Sequence, residues 1–277
     1  MKKIILPFLI ISFFIACKSK TNSPLKDSVA NNKSAIDQSA ELIKKFKPII
    51  QGVWVKADYI DKVIKTKSPL AAQDIADYIT TMYINTDHVK GDSIIVSTVI
   101  GNHEGGDAVL KFQPGKSPST IILGDGDLSY SIENGDTTLM LSQLDETKKL
   151  RKTKYVKALN KQADDDNDYG MNYLINKNLI SGNYTLTNSL GSKTKVTFNS
   201  NGKVSDFPAV KTFLINTAFG DPMSNLDYIV FNFNTKYYAS YAFKINADTL
   251  NLFETGANAD STELVLGKLK YKLVRQK

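Results

Sequence analysis

The sequence predicts an all-β protein with minor helix, arranged as two tandem small antiparallel β-barrels or sandwiches. Three observations carry this. The first is period-two alternation: near the C-terminus Leu269, Tyr271 and Leu273 alternate with Lys268, Lys270 and Lys272, the pattern of a strand with one packed and one wet face. The second is a set of hairpin signals. "TKVTFNSNGKV" turns at Asn201-Gly202, "DSIIVSTVIGNHEGGDAVLKFQ" turns in its Gly-rich centre, and "DYIVFNFNTKYYASYAFKI" reads likewise. The third is self-similarity. "IQGVWVKADYI" is matched by "ISGNYTLTNSL", "MYINTDHV" by "FLINTAFG", "NGDTTLML" by "NADTLNLF", and "LRKTKYVKAL" by "LGKLKYKLVR", in the same order in both halves. Two copies are too few for a solenoid and suggest two similar domains. Closing each sheet removes its exposed edges.

Taken in order, the chain opens with two lysines and an apolar run from Ile4 to Ala16, so residues 1–16 read as a signal peptide, too short for a membrane span. Phe14-Ile15-Ala16-Cys17 resembles the lipobox of bacterial lipoproteins, with Phe14 where Leu is usual. The resemblance implies cleavage before Cys17 and lipidation of Cys17 with acyl chains such as palmitate; Lys18-Ser19-Lys20 lacks the acidic cluster that resembles a surface-export signal in Bacteroidetes lipoproteins, so the expected place is the periplasmic face of the outer membrane. Each buried methylene contributes ~0.8 kcal/mol, so two or more chains anchor stably. Cys17 is the sole cysteine, which excludes an internal disulfide. Residues 17–33 are polar and aperiodic, a tether. Residues 34–48 read as a short amphipathic helix, with Ser34 as cap, Ile36, Ala40, Ile43 and Lys47 on one stripe, Leu42 and Phe46 widening it, and Pro48 ending it. Residues 49–159 form the first β domain, 160–179 an acidic linker, and 180–277 the second β domain. Within the first domain, Ser68 and Pro69 open a helix.

Gly52-Val53-Trp54 resembles the Gly-x-Trp opening of lipocalins and the wider calycin barrels. Gly182-Asn183-Tyr184 is a softened copy. The resemblance implies that Trp54, the only tryptophan, sits on the first strand at the closed end of a barrel, with Tyr184 in the same role in the second. Arg151 and Arg275, in or beside the two last strands, are the implied basic partners. Tyr155 and Tyr271 are matched in the repeat and complete the barrel-base candidates. The chain as a whole is similar to tandem lipocalin-like lipoproteins of the Bacteroidetes kind.

Chemistry is sparse. His103, Glu104 and Asp107 offer metal donors but fall where a hairpin turns, and His88 is the only other histidine. Asp164, Asp166 and Asp168 are spaced like a calcium loop, yet Tyr169 stands where Gly is needed and Ile175 where Glu is needed. Ser129 and Ser131 lack a base, and no nucleophile elbow occurs. Paired carboxylates remain open, because pairing in space does not show in sequence. The expectation is no catalytic residue, no metal and no cofactor. The formal net charge of +7 includes two lysines lost with the leader, and the remaining lysines are spread along the chain, which argues against a nucleic-acid partner. The first expectation for function is a non-catalytic envelope module holding a small apolar ligand or lipid. The alternative is a periplasmic interaction or inhibitor lipoprotein with filled barrels, and the third is a hydrolase with an unrecognised site.

Overall fold

The computed structural model describes residues 25–162, 168–187, 191–220 and 222–276, with side chains from Ile36 onward. The described residues divide into two units after Asp37. In the first, residues 25–37 are helical; the expected signal peptide, Cys17 and most of the expected tether lie outside the described residues. The second unit holds both β domains.

Helix α1 (Leu25–Ile50) leads directly into the first sheet. It begins earlier than the stripe predicts, and Pro48 does not end it. Pro48 removes one hydrogen bond from the last turn, but Phe46 and Ile50, both fully buried, lock that turn into the barrel core.

The first sheet is a closed antiparallel barrel, each strand bonded to its sequence neighbour and the first to the last. Its strands are β1 (Gly52–Lys56), β2 (Ile79–Ile84), β3 (Ser93–Ile100), β4 (Glu104–Pro114), β5 (Ile121–Leu123), β6 (Gly126–Glu133), β7 (Asp136–Leu144) and β8 (Leu150–Leu159). The interior follows period two: Met82 and Ile84, Ile94 and Val96, Leu110 and Phe112, Ile121 and Leu123, Leu139 and Leu141 all point inward. Trp54 and Tyr155 belong to this interior, and Leu42, Phe46 and Ile50 of α1 pack against it at the end where β1 starts.

The second sheet repeats the meander with β9 (Gly182–Thr187), β10 (Lys193–Phe198), β11 (Val204–Ser205), β12 (Phe213–Ile215), β13 (Tyr228–Phe231), β14 (Ala239–Asn246), β15 (Thr249–Ala257) and β16 (Leu264–Arg275). Strand β9 pairs with β16, as β1 pairs with β8. The outer strands β11 and β12 meet through a single bridge, Lys203 to Thr212, supported by Phe213 N–H donating to Gly202 O and Val204 N–H to Lys211 O. The core is aromatic. Phe198 lies edge-on to Tyr184, Phe207 and Phe213, and Phe207 edge-on to Phe231 and Tyr271.

Several expectations are corrected. The helix of the first domain is α2 (Ala57–Thr66), directly after β1, whereas Ser68 and Pro69 open only a 3-10 segment, Leu70–Ile75. The cap position is Pro69 rather than Ser68, though Ser68 Oγ, one residue ahead, accepts from Ala71 N–H at 2.9 Å. The linker contains α3 (Tyr169–Ile175) and a π-helical turn (Asn176–Ile180), whose Met171, Ile175, Leu179 and Ile180 are core residues. Leu269 does not share the packed face of Tyr271 and Leu273. Bulges opposite Phe253 shift the register, and Leu269 is 50% exposed. The second repeat match also fails in space. Ile84 ends the second strand of its sheet, and Ile215 ends the fourth strand of the other.

Strand β1 has no wet face. Trp54 belongs to the barrel core, while Val55, on the opposite face, joins the core of the second sheet. That second core continues into Tyr59, Ile60 and Val63 of α2 and Ala72 of the 3-10 segment. The first domain thus supplies part of the floor of the second. Polar contacts fix the junction. Asp227 accepts from Ser68 Oγ at 2.5 Å and from Leu70 N–H at 2.9 Å, and Gln73 donates to Phe219 O at 3.1 Å.

Candidate functional site

The two barrel bases are built alike. A helix ends in an isoleucine, a glycine with positive φ follows, and an aromatic ring lies two residues on. Trp54 Nε1 donates to Ile50 O at 2.7 Å, and Tyr184 Oη donates to Ile180 O at 2.7 Å. Gly52 has φ +130 and Gly182 φ +149, and a Cβ on Gly52 would sit 2.5 Å from Leu159 O. Each ring carries a cation from the last strand. Lys157 Nζ is 4.7 Å from the Trp54 ring and donates to Ile49 O at 3.3 Å. The Arg275 guanidinium is 5.3 Å from the Tyr184 ring and donates to Leu179 O at 2.8 Å and to Tyr184 Oη. Burial pushes the Lys157 amine down and the Tyr184 phenol up.

Arg275 is therefore the base cation of the second sheet, but Arg151 is not that of the first. Trp54 is in register with Lys157, as Tyr184 is with Arg275. Sequence comparison missed Lys157 because it aligned the last strands on their tyrosines. In register, Tyr155 faces Lys56 and Leu273 faces Leu186, so Tyr155 matches Leu273 rather than Tyr271. A shift of two residues keeps inside and outside intact, which is why the false match looks convincing. Tyr155 is buried in the barrel and donates to Ile79 O at 2.8 Å. Tyr271 is half-buried and packs its ring against Phe207 and Tyr241.

Arg151 works at the other end of the first barrel. It takes Asp77 in a two-pronged pair, both bonds 2.6 Å, and lies 4.2 Å over the Tyr78 ring. Lys56, 1% exposed, donates to the same carboxylate at 2.5 Å and to Ile75 O at 2.6 Å. Burial works to raise the Asp77 pKa, but the hydrogen bonds from Arg151 and Lys56 outweigh it and hold the carboxyl at about 2. Every prong of the cluster has a protein partner, so it reads as a clamp on the strand ends.

The metal candidates do not converge. His103 is exposed and its Nδ1 lies 2.7 Å from Gly101 O; Glu104 and Asp107 are on strand β4. Asp164 and Asp166 lie outside the described residues, and Ile175 is buried. Among the described residues no group of three His, Cys, Asp or Glu is placed to hold a metal. Ser129 Oγ donates to Met140 O at 3.4 Å and Ser131 Oγ pairs with Thr138 Oγ1 at 2.9 Å, both within the sheet.

One loop stands out that sequence reasoning passed over as a plain turn. Between β13 and β14, Asn232 is 6% exposed and ties the loop to its neighbour: its Oδ1 accepts from Lys211 N–H at 2.8 Å and its Nδ2 donates to Ala209 O at 2.7 Å and Tyr237 O at 3.2 Å. Thr235 bonds back to Asn232 O through both its amide and its hydroxyl. Asn232 and Asn234 take positive φ, which asparagine tolerates. On this fixed turn Phe233, Tyr237 and Tyr238 are all more than half exposed, and Lys236 lies 5.1 Å from the Tyr237 ring. The available signal was the run "NFNTKYY", in which two Asn and a Thr sit among three aromatic residues.

A closed eight-stranded antiparallel meander beside a second sheet of the same order is consistent with a lipocalin-like fold. No protein-family model matches the chain, and no curated protein does.

Proposed function

We propose that this chain is a non-catalytic, lipid-anchored interaction protein of the cell envelope, which meets a partner protein on the outer loops of its second sheet. The observation that carries this is where the large side chains go. Trp54, Met82, Phe112 and Tyr155 occupy the first barrel, and the Phe198, Phe207, Phe213 and Phe231 rings occupy the second sheet. A ligand-holding calyx keeps that space open. The rings that would contact a partner are instead outside, on the fixed 232–238 turn. Tyrosine beside a cation is the composition of energetic centres in protein interfaces, and a preorganised loop loses little entropy on docking. The anchor rests on the resemblance at Cys17. Acyl-chain labelling with membrane fractionation tests it: Cys17→Ala should lose label and leave the membrane fraction, and unchanged labelling would overturn it.

The interaction is tested by photocrosslinking in intact envelopes from a probe at position 237, compared with one at Lys148 on the first barrel. A discrete protein adduct is expected from position 237 alone, abolished by Phe233→Ser with Tyr238→Ser. Absence of any adduct, together with a stoichiometric apolar molecule in organic extracts of the purified protein, would reverse the reading in favour of a bound small ligand or lipid.

A further inference from the structure

We propose that a cleft beside Arg275 binds a small anionic amphiphile, a carboxylate or phosphate monoester bearing a short alkyl chain. This site is separate from the interaction loop and does not depend on it. The cleft has a volume of about 350 Å³ and is walled by Ile64, Lys67, Leu179, Ile245, Leu250 and Arg275. At about 30 Å³ per water molecule in the liquid, that is the space of roughly ten waters, enough for a short-chain amphiphile.

The charges in the cleft are unbalanced. The chain has only two arginines. Arg151 spends its fork on Asp77. Arg275 uses Nε and Nη2 on Tyr184 Oη and Leu179 O, and Nη1 has no hydrogen bond to the described residues. Nor does Arg275 form an ion pair among them. A guanidinium is suited to carboxylate and phosphate because its N–H groups are fixed in direction. Lys67 stands at the left-handed C-cap of α2, φ +57, and its Nζ makes one long bond, 3.3 Å, to Ala247 O. The one acid in the wall, Asp248, is exposed and accepts from Thr249 Oγ1 at 3.2 Å. Among the described residues two cations against one carboxylate leave a net positive charge, beside an apolar wall in which Ile64 is 40% exposed. Charge alone would suit any anion; the isoleucines select one with a tail.

The equivalent place in the first barrel provides an internal control. The cleft beside Lys157 carries Glu133 and Asp136 as well as Lys154, so its charges balance.

Isothermal titration of the full chain with hexanoate, hexanol and inorganic phosphate tests the proposal. Hexanoate should bind at one site, with hexanol and phosphate each roughly tenfold weaker or more, since a hydrogen bond to a charged group supplies about that factor. Lys67→Gln should weaken hexanoate roughly tenfold, Asp248→Asn should strengthen it, and Lys154→Gln should change nothing, all three melting as the parent does. Absence of saturable hexanoate binding would overturn the proposal. So would equal affinity for hexanol or phosphate, or indifference to both the Lys67 and Asp248 changes.

Discussion

Trp54 packs as a core residue. Its ring is fully buried, its N–H is satisfied by Ile50 O, and Lys157 covers its face. Large-to-small changes at aromatic core positions cost about 3–5 kcal/mol, so Trp54→Ala should lower the melting temperature steeply. Trp54→Phe keeps much of the ring and should cost less. Calorimetry of both, with the blue-shifted emission expected of a buried indole, checks this; water-exposed emission and an unmoved melting point would contradict it. Asp77 gives a pH-dependent test. Its carboxyl is held at about 2 in the fold, against an ordinary 3.8. The stabilisation is therefore fully present only above about pH 5, and it is lost progressively as pH falls through 3.8 and then through about 2. Asp77→Asn should melt lower than the parent at pH 7, by about 2–4 °C for each kcal/mol lost, and the gap should narrow steadily from about pH 5 down to about pH 2. A constant gap across that range would show that the clamp is not ionic. Individual residues were legible where geometry forces identity, as at Gly52 and Gly182. Lys157 was not, because a lysine on a strand looks like any solvated lysine until the ring it covers is known.

Helix α2 and strand β1 join the domains, and their packing makes two sharper predictions. A Cβ on Gly170 of α3 would come within 2.3 Å of Val53 Cγ1 on β1. Gly170→Ala should destabilise the protein by ~1–3 kcal/mol, the usual range for overpacking, and Val53→Ala should recover part of that in the double variant. Additive losses would mean that the two elements do not press on each other. Tyr59 of α2 is fully buried; Asn102 lies beside its hydroxyl, but among the described residues neither that hydroxyl nor Asn102 Oδ1 closes a well-formed hydrogen bond. An unmatched buried hydroxyl costs about 1–3 kcal/mol, so Tyr59→Phe should leave the melting temperature unchanged or raise it. A clear drop would reveal a partner such as an internal water. Sequence periodicity found the long hairpins because each alternates over many residues. It missed α2 because its apolar residues, Ala57, Tyr59, Ile60 and Val63, are few and follow a strand without any capping side chain.

The two sheets should unfold as one. The second core runs from Leu273 and Phe243 through Ile175 to Ile60 and Val55, so no plane parts the domains without exposing apolar surface. A single calorimetric transition is expected, and two separated transitions would contradict it. The tandem architecture was legible in the repeats, although only some of them mark equivalent strands. The shared wall was not legible. Val53 and Val55 read as the outward half of an ordinary strand, and nothing local says that another domain covers them.

That wall constrains how the protein can change over generations. Tandem copies ordinarily can be lost again, since each began as a complete module. Here the copies have become unequal. Residues of the first half, Tyr59, Ile60 and Val63, are spent on the second, and Met171 and Ile175 ahead of the second repeat complete the junction. Deleting the second copy would leave α2 with an uncovered greasy face, and deleting the first would leave the second without part of its floor. The arrangement acts as a ratchet, in which drift in either half must be matched by drift in the other.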